Sequence, residues 1–313
     1  MLLAFGLLFL GGHSLVHGAG KISELLGLPR IFVGMVVVGI GTSAPELAFG
    51  IGSALSHHGN LVAGNVIGSN IVNIGLALGI AWLIASMPSS VTLHRRDLAI
   101  LLFVTVASIA LLLDGTVGRI EGLLLFMLAV GFTALGYSDS VRENAVEGGA
   151  DNEEPGLTEG VDGSDKSALW KAVMWLILGI VLLIGGAELL VVAAVDIASA
   201  LGVSEAVISL TLTAFGTGIP EVTATAIAAF RREFELAVGN IVGSNIMNLT
   251  LVLGLSASVV PLTDIDIGYA SNAAVLTFTV AFIGFLMLRF TNRIASVLLL
   301  LGYALYLFLT FAR

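Results

Sequence analysis

Cysteine is absent from this chain. Disulfides, thiolate metal centres and cysteine nucleophiles are therefore excluded. Charge is also scarce. Asp, Glu, Lys and Arg make up 11% of the residues, against 57% apolar. Basic residues are the rarer sign, 13 against 22 acidic, and they never run more than two together. Nucleic-acid binding thus has no electrostatic footprint. No nucleophile–base arrangement or phosphate-cradling glycine loop stands in a suitable context, so an enzyme is not expected. What the chain has in abundance is long apolar runs.

A membrane-crossing helix needs about 20 mostly apolar residues. Charged and turn residues divide this chain into ten apolar segments. They lie roughly at 2–24, 31–56, 61–86, 97–114, 119–137, 169–199, 205–230, 236–260, 268–288 and 294–311. The runs are continuous rather than alternating, which predicts a helical bundle and not a β-barrel. The first run lacks a basic start and a small-residue cleavage site, so it reads as a helix rather than a signal peptide.

Lys and Arg mark the cytoplasmic side of a membrane protein. With the N-terminus outside, the inner loops hold Lys21, Arg30, Arg95, Arg96, Arg142, Lys166, Lys171, Arg231, Arg232, Arg289 and Arg293. Only Arg119 and Arg313 fall outside. This bias predicts ten spans with both termini outside. It divides the chain into a five-helix unit at 1–137, a cytoplasmic linker at 138–167 and a second five-helix unit at 168–313. The linker carries nine acidic residues between Asp139 and Asp165 against one basic residue, Arg142. It reads as a solvated connection, since the EF-hand order of carboxylates is missing.

The chain also repeats itself. Gly41-Thr42-Ser43-Ala44-Pro45-Glu46 returns as Gly216-Thr217-Gly218-Ile219-Pro220-Glu221. Gly64-Asn65-Val66-Ile67-Gly68-Ser69-Asn70-Ile71-Val72-Asn73 returns as Gly239-Asn240-Ile241-Val242-Gly243-Ser244-Asn245-Ile246-Met247-Asn248. The offset is 175 in both cases. Five spans per copy is an odd number, so the second copy enters the membrane from the opposite face. The expected fold is therefore an all-α membrane protein of ten transmembrane helices, built as two inverted five-helix repeats.

Each copy places a carboxylate deep in lipid, where it needs a partner. Pro45 and Pro220 break the helical hydrogen-bond ladder beside it. Thr42, Ser43, Ser69, Thr217 and Ser244 add hydroxyls, Asn73 and Asn248 add amide oxygens, and Glu46 and Glu221 add carboxylates. This all-oxygen set suits a hard cation such as Ca²⁺ or Na⁺ and not zinc or copper. Ser69 and Asn73 are four apart and share a helix face, as do Ser244 and Asn248. Gly64 with Gly68, and Gly239 with Gly243, are expected to draw segment 3 onto segment 2 and segment 8 onto segment 7. Asn70 and Asn245 point elsewhere and are expected to bond the backbone. Two ionised glutamates give −2, which one Ca²⁺ or two to three Na⁺ would offset. An empty site of that charge is costly to carry across lipid, which predicts obligatory exchange by alternating access.

These paired motifs resemble the two repeats of the calcium:cation antiporter superfamily, sodium/calcium exchanger type. The resemblance covers nearly the whole chain, including Gly186-Ala187-Glu188-Leu189-Leu190. It implies ten helices around four clustered cation sites. Ca²⁺ would be shared by Glu46 and Glu221, and Na⁺ would sit in flanking sites. Ligand roles would fall to Thr42, Ser43, Ser69, Asn73, Thr217, Ser244 and Asn248. It implies an antiporter of a cell membrane that exchanges Na⁺ for Ca²⁺ and uses no cofactor, with spans 1 and 6 sliding to switch access. The proton-coupled calcium antiporters are the alternative, although their GNAxE-type motif is missing. A cation channel fits less well, because channels build carboxylate filters from oligomeric rings.

The chain departs from the family pattern in three places. Gly218 stands where a serine matching Ser43 is usual, which removes one hydroxyl. Asn248 stands where some relatives have Asp, which argues against potassium dependence. Met1 aligns with Leu176, so either span 1 is shorter than span 6 or the chain start is trimmed. Elsewhere, His13, His17, His57 and His58 read as interfacial, and Trp82, Trp170 and Trp175 as membrane-interface anchors. Glu188 and Asp196 are expected near a helix end or in local pairs, away from the transported ion. Asp264 and Asp266 are expected in a short outer loop.

Overall fold

The computed structural model describes residues 1–88, 91, 93–148, 163–200 and 216–311. Among these residues the chain is helical almost throughout. The helices are α1 (Leu2–Leu26), α2 (Arg30–Thr42), α3 (Ala44–Leu55), α4 (Gly59–Ile84), α5 (Arg95–Leu112) and α6 (Arg119–Gly148). Then come α7 (Gly163–Ala200), α8 (Ile219–Phe230), α9 (Phe234–Val259), α10 (Gly268–Met287) and α11 (Arg293–Phe311).

Seven of these are long and apolar enough to cross a membrane alone. The bent pair α2 and α3 makes an eighth span, with a 44° turn between its halves. The remaining two segments are α5, which opens on Arg95, Arg96 and Asp97, and the 12-residue α8. Residues 205–215 of the segment expected to include α8 lie outside the described residues. Helices α6 and α7 run past the apolar segments expected for them, to Gly148 and from Gly163. Arg142, Glu143, Ala145 and Glu147 are ordinary helix formers, which lets α6 continue past its apolar run. Residues 149–162 of the expected linker lie outside the described residues.

Local sequence sets the breaks. α1 stops at Gly27, whose φ of 65° is the left-handed cap conformation. Pro29 then opens α2. Pro45 and Pro220 each lie in the first turn of α3 and α8, where a missing N–H leaves no helical bond unmade.

Small residues set the closest packing. α1 and α7 lie against each other along most of α1. A Cβ on Gly18 would fall 2.5 Å from the Leu176 amide nitrogen, and one on Gly179 would fall 2.4 Å from that of Leu15. Backbones approach this closely in lipid only where side chains are absent. The expected use of Gly239 and Gly243 needs correction. They pack α9 against α2, from the other repeat, at Gly34 and Met35. The Cβ missing from Gly243 would lie 1.9 Å from the Met35 carbonyl oxygen. The two repeats therefore interlock, and their innermost helices meet across the repeat boundary. Gly64 meets only the Ile267 side chain among described atoms. The repeat mates of Gly34 and Met35, residues 209 and 210, lie outside the described residues.

Trp82 also departs from expectation. It is buried, with its ring against Phe282 and Phe285 of α10, because α4 is an inner helix and carries its aromatic into the core. Trp170 and Trp175 are exposed.

Loops contact one another in two groups. Val117 and Leu262 exchange backbone hydrogen bonds of 2.9 Å, and Asn60 accepts from the Asp266 amide at 3.1 Å. At the other end Met87 donates to the Thr291 carbonyl at 3.1 Å. The ion pairs Arg30–Glu233 and Arg96–Asp139 belong to the end that carries the start of α2 and the end of α6.

Candidate cation site

Two equivalent breaks create the site. Ser43, between α2 and α3, has φ −80° and ψ 5°. Gly218, which caps α8, has φ −81° and ψ −5°. The turns after them carry Glu46 and Glu221 into the first turns of α3 and α8, where helix N-termini favour negative charge. Both side chains are fully buried.

The inner helices supply the surroundings. α4 and α9 each widen into a π-type turn, and these turns start at Asn73 and Asn248. Such turns recur at functional sites because they redirect side chains and loosen carbonyls. The turn at Asn73 packs on α8, which holds Glu221, and the turn at Asn248 packs on α3, which holds Glu46. The repeats thus meet crosswise. Ser69 donates to Glu46 Oε1 at 3.3 Å, and Ser43 approaches Glu221 Oε1 at 3.5 Å across the repeat boundary. The Thr42 hydroxyl lies 3.3 Å from that of Ser244. Thr217 is partly buried, and its hydroxyl faces Glu46 while donating to Asn65.

The two carboxylates lie near enough for Glu46 to act on the charge of Glu221. Each keeps one oxygen, Oε2, without a hydrogen-bond partner. Asn73 and Asn248 keep both amide atoms unpartnered, and both residues are fully buried. An unpartnered buried polar group costs about 1–3 kcal/mol. Bare oxygens concentrated around two buried acids are what a hard cation requires. No group of three or more His, Cys, Asp or Glu residues occurs among the described residues, so the donor set rests on hydroxyl and amide oxygens beside two carboxylates.

Three polar residues of this centre escaped the sequence reading. Asn240 accepts from Thr42 at 3.1 Å, and its repeat mate Asn65 accepts from Thr217 at 3.0 Å. Asn240 also donates to Thr225 at 2.9 Å. Asn65 and Asn240 were visible in the duplicated Gly-Asn pairs, but their partners lie in the other repeat. Asn70 and Asn245 bond backbone, as expected. Asn70 donates to the Asn245 carbonyl at 3.1 Å, which ties two repeat mates to each other, and Asn245 donates to Ile241 at 2.6 Å.

Glu188 does not pair locally, contrary to expectation. Among the described residues it has no ion pair or hydrogen bond. It lines a cavity of about 500 Å³ bounded by Pro45, Thr217 and Pro220. The helical stripe Ile184, Ala187, Glu188 and Val191 turns it there instead of toward a helix end.

Comparison with known proteins agrees with this architecture. The chain is 34% identical over 286 residues to the inner membrane protein YrbG of Escherichia coli (strain K12), covering 88% of this chain and 86% of that protein. It is 29% identical over 296 residues to the sodium/calcium exchanger MaX1 of Methanosarcina acetivorans, covering 84% and 83%. Among solved structures it resembles the sodium-calcium exchanger NCX_Mj, with a TM-score of 0.82 and 26% identity over 98% of this chain and 96% of that one. The sequence model described as "Sodium/calcium exchanger protein" matches residues 1–137 and 171–312. With both repeats and their paired motifs inside those matches, the chain belongs to the sodium/calcium exchanger family.

Proposed function

We propose that this protein is a secondary active antiporter that exchanges Na⁺ for Ca²⁺ by alternating access, with Glu46 and Glu221 as shared ligands of Ca²⁺. The observation that carries this reading is the pair of fully buried carboxylates, one per inverted repeat, each with a bare oxygen. Thr42, Ser43, Ser69, Asn73, Thr217, Ser244 and Asn248 complete the ligand set for Ca²⁺ and the flanking Na⁺. MaX1 and NCX_Mj are both described as sodium/calcium exchangers, which supports the same assignment.

Electrostatics supplies the coupling. Two ionised glutamates leave the empty centre at −2, and such a charge resists passage through the low-dielectric barrier. Ca²⁺ or a set of Na⁺ removes that penalty, so the protein reorients only when loaded. The repeats at 1–137 and 168–313, joined by the 138–167 linker, then exchange roles between the two faces. The distribution of Lys and Arg supports placing both termini outside and the linker in the cytoplasm of a cell.

The test is ⁴⁵Ca²⁺ uptake into liposomes that hold the purified protein. Uptake driven by an outward Na⁺ gradient, and not by a pH gradient, is expected. Uptake driven by pH alone would move the protein to proton coupling. Flux with no counter-ion would make it a channel.

A further inference from the structure

The cavity that holds Glu188 lies against the starts of α3 and α8, which carry Glu46 and Glu221. Its α7 wall belongs to the C-terminal half of that helix, and its floor is Pro45, Thr217 and Pro220. The repeat mates of the α7 wall, on α1, are packed differently. A Cβ on Gly12, the mate of Ala187, would meet the Ile227 side chain at 2.5 Å. Arg231 donates to the His13 carbonyl at 3.2 Å, beside the exposed His13 side chain. His13 is the repeat mate of Glu188, so the two walls also differ in charge.

A carboxylate on a transmembrane helix is expensive in lipid and persists where it faces water or a partner. Glu188 has an exposed side chain, no partner among the described residues, and a cavity with room for several waters. We propose that Glu188 is the cation-gathering residue of this vestibule. It attracts hydrated cations to the mouth and delivers them to the Glu46–Glu221 pair without joining their coordination shell. A fixed negative charge in a low-dielectric funnel raises the local cation concentration, and a divalent ion feels twice the pull of a monovalent one. Access from the α7 C-terminal face is therefore tuned toward Ca²⁺. The opposite face has His13 at the equivalent position and lacks this bias. The inference rests on the exchanger reading above.

The experiment compares Glu188→Gln with wild type in sided vesicles, with Ca²⁺ activation of exchange measured from each face. From the α7 C-terminal face, the half-saturating Ca²⁺ is expected to rise about 3- to 10-fold at low ionic strength. The rise should shrink at about 0.3 M choline chloride, where screening is short-ranged. The half-saturation from the opposite face and the maximal rate should stay unchanged, and Glu188→Asp should restore wild-type values. An unchanged half-saturation in an exchanging protein overturns this inference and leaves the exchanger reading intact. An equal loss from both faces, or a fall confined to maximal rate, also overturns it, because that is the signature of a packing defect. Absence of Na⁺-driven exchange in the wild type would overturn both.

Discussion

Ser43 of the first repeat reaches Glu221 of the second at 3.5 Å. The reverse contact is missing, because the repeat mate of Ser43 is Gly218. The backbones at 43 and 218 nearly coincide, so glycine is not demanded by conformation. The candidate cation site is lopsided through one hydroxyl.

Gly218→Ser should restore that hydroxyl on the Glu46 side. A new Cβ would meet Val72 Cγ1 at 3.2 Å, which a small rotation of Val72 relieves. One added oxygen ligand of about 1 kcal/mol corresponds to a roughly fivefold lower half-saturating Na⁺. Na⁺ activation of Ca²⁺ efflux measures it. An unchanged Na⁺ dependence would show that position 218 does not face the cation path.

Glu46→Gln and Glu221→Gln should each lower Ca²⁺ exchange at least about 100-fold. Each removes one of only two charges that offset a desolvated divalent cation. Size-exclusion profiles should match wild type, since a neutral amide fits the same space. Retained exchange in either variant would contradict the shared site.

Asn73→Leu and Asn248→Leu separate stability from function. Each replaces a buried amide that has no partner, so the cation-free protein should gain about 1 kcal/mol. In detergent, the cation-free Tm should rise. Added Ca²⁺ should then raise Tm less than in wild type, because stabilisation by a ligand grows with the logarithm of its concentration over Kd. A lower cation-free Tm together with a full Ca²⁺ response would remove these residues from the site.

Gly243→Ala tests the interlock of the repeats. Its Cβ would overlap the Met35 carbonyl, and backbone cannot rotate away as a side chain can. A loss of several kcal/mol is expected, seen as aggregation or a large fall in Tm. Gly284→Ala, which meets no described atom within 4 Å, should stay close to wild type or slightly above it.

The duplicated motifs and the spacing of charge determined much of this protein without coordinates. A buried Glu beside Pro, repeated at a fixed offset in a chain of ten apolar segments, already specifies two inverted halves with a carboxylate from each. Candidate oxygen donors could be named because amide, hydroxyl and carboxylate are the only polar groups such segments carry in both copies.

Tertiary structure alone decided which helix meets which. Gly239 and Gly243 announce a close approach, but small residues fit any neighbouring backbone, and the neighbour proved to be α2. Asn65 and Asn240 were legible as repeated polar residues, whereas their bonds to Thr217 and Thr42 exist only because the halves interlock. Glu188 looks like an isolated charge in sequence. Its setting depends on a cavity of about 500 Å³ that only the packed bundle creates.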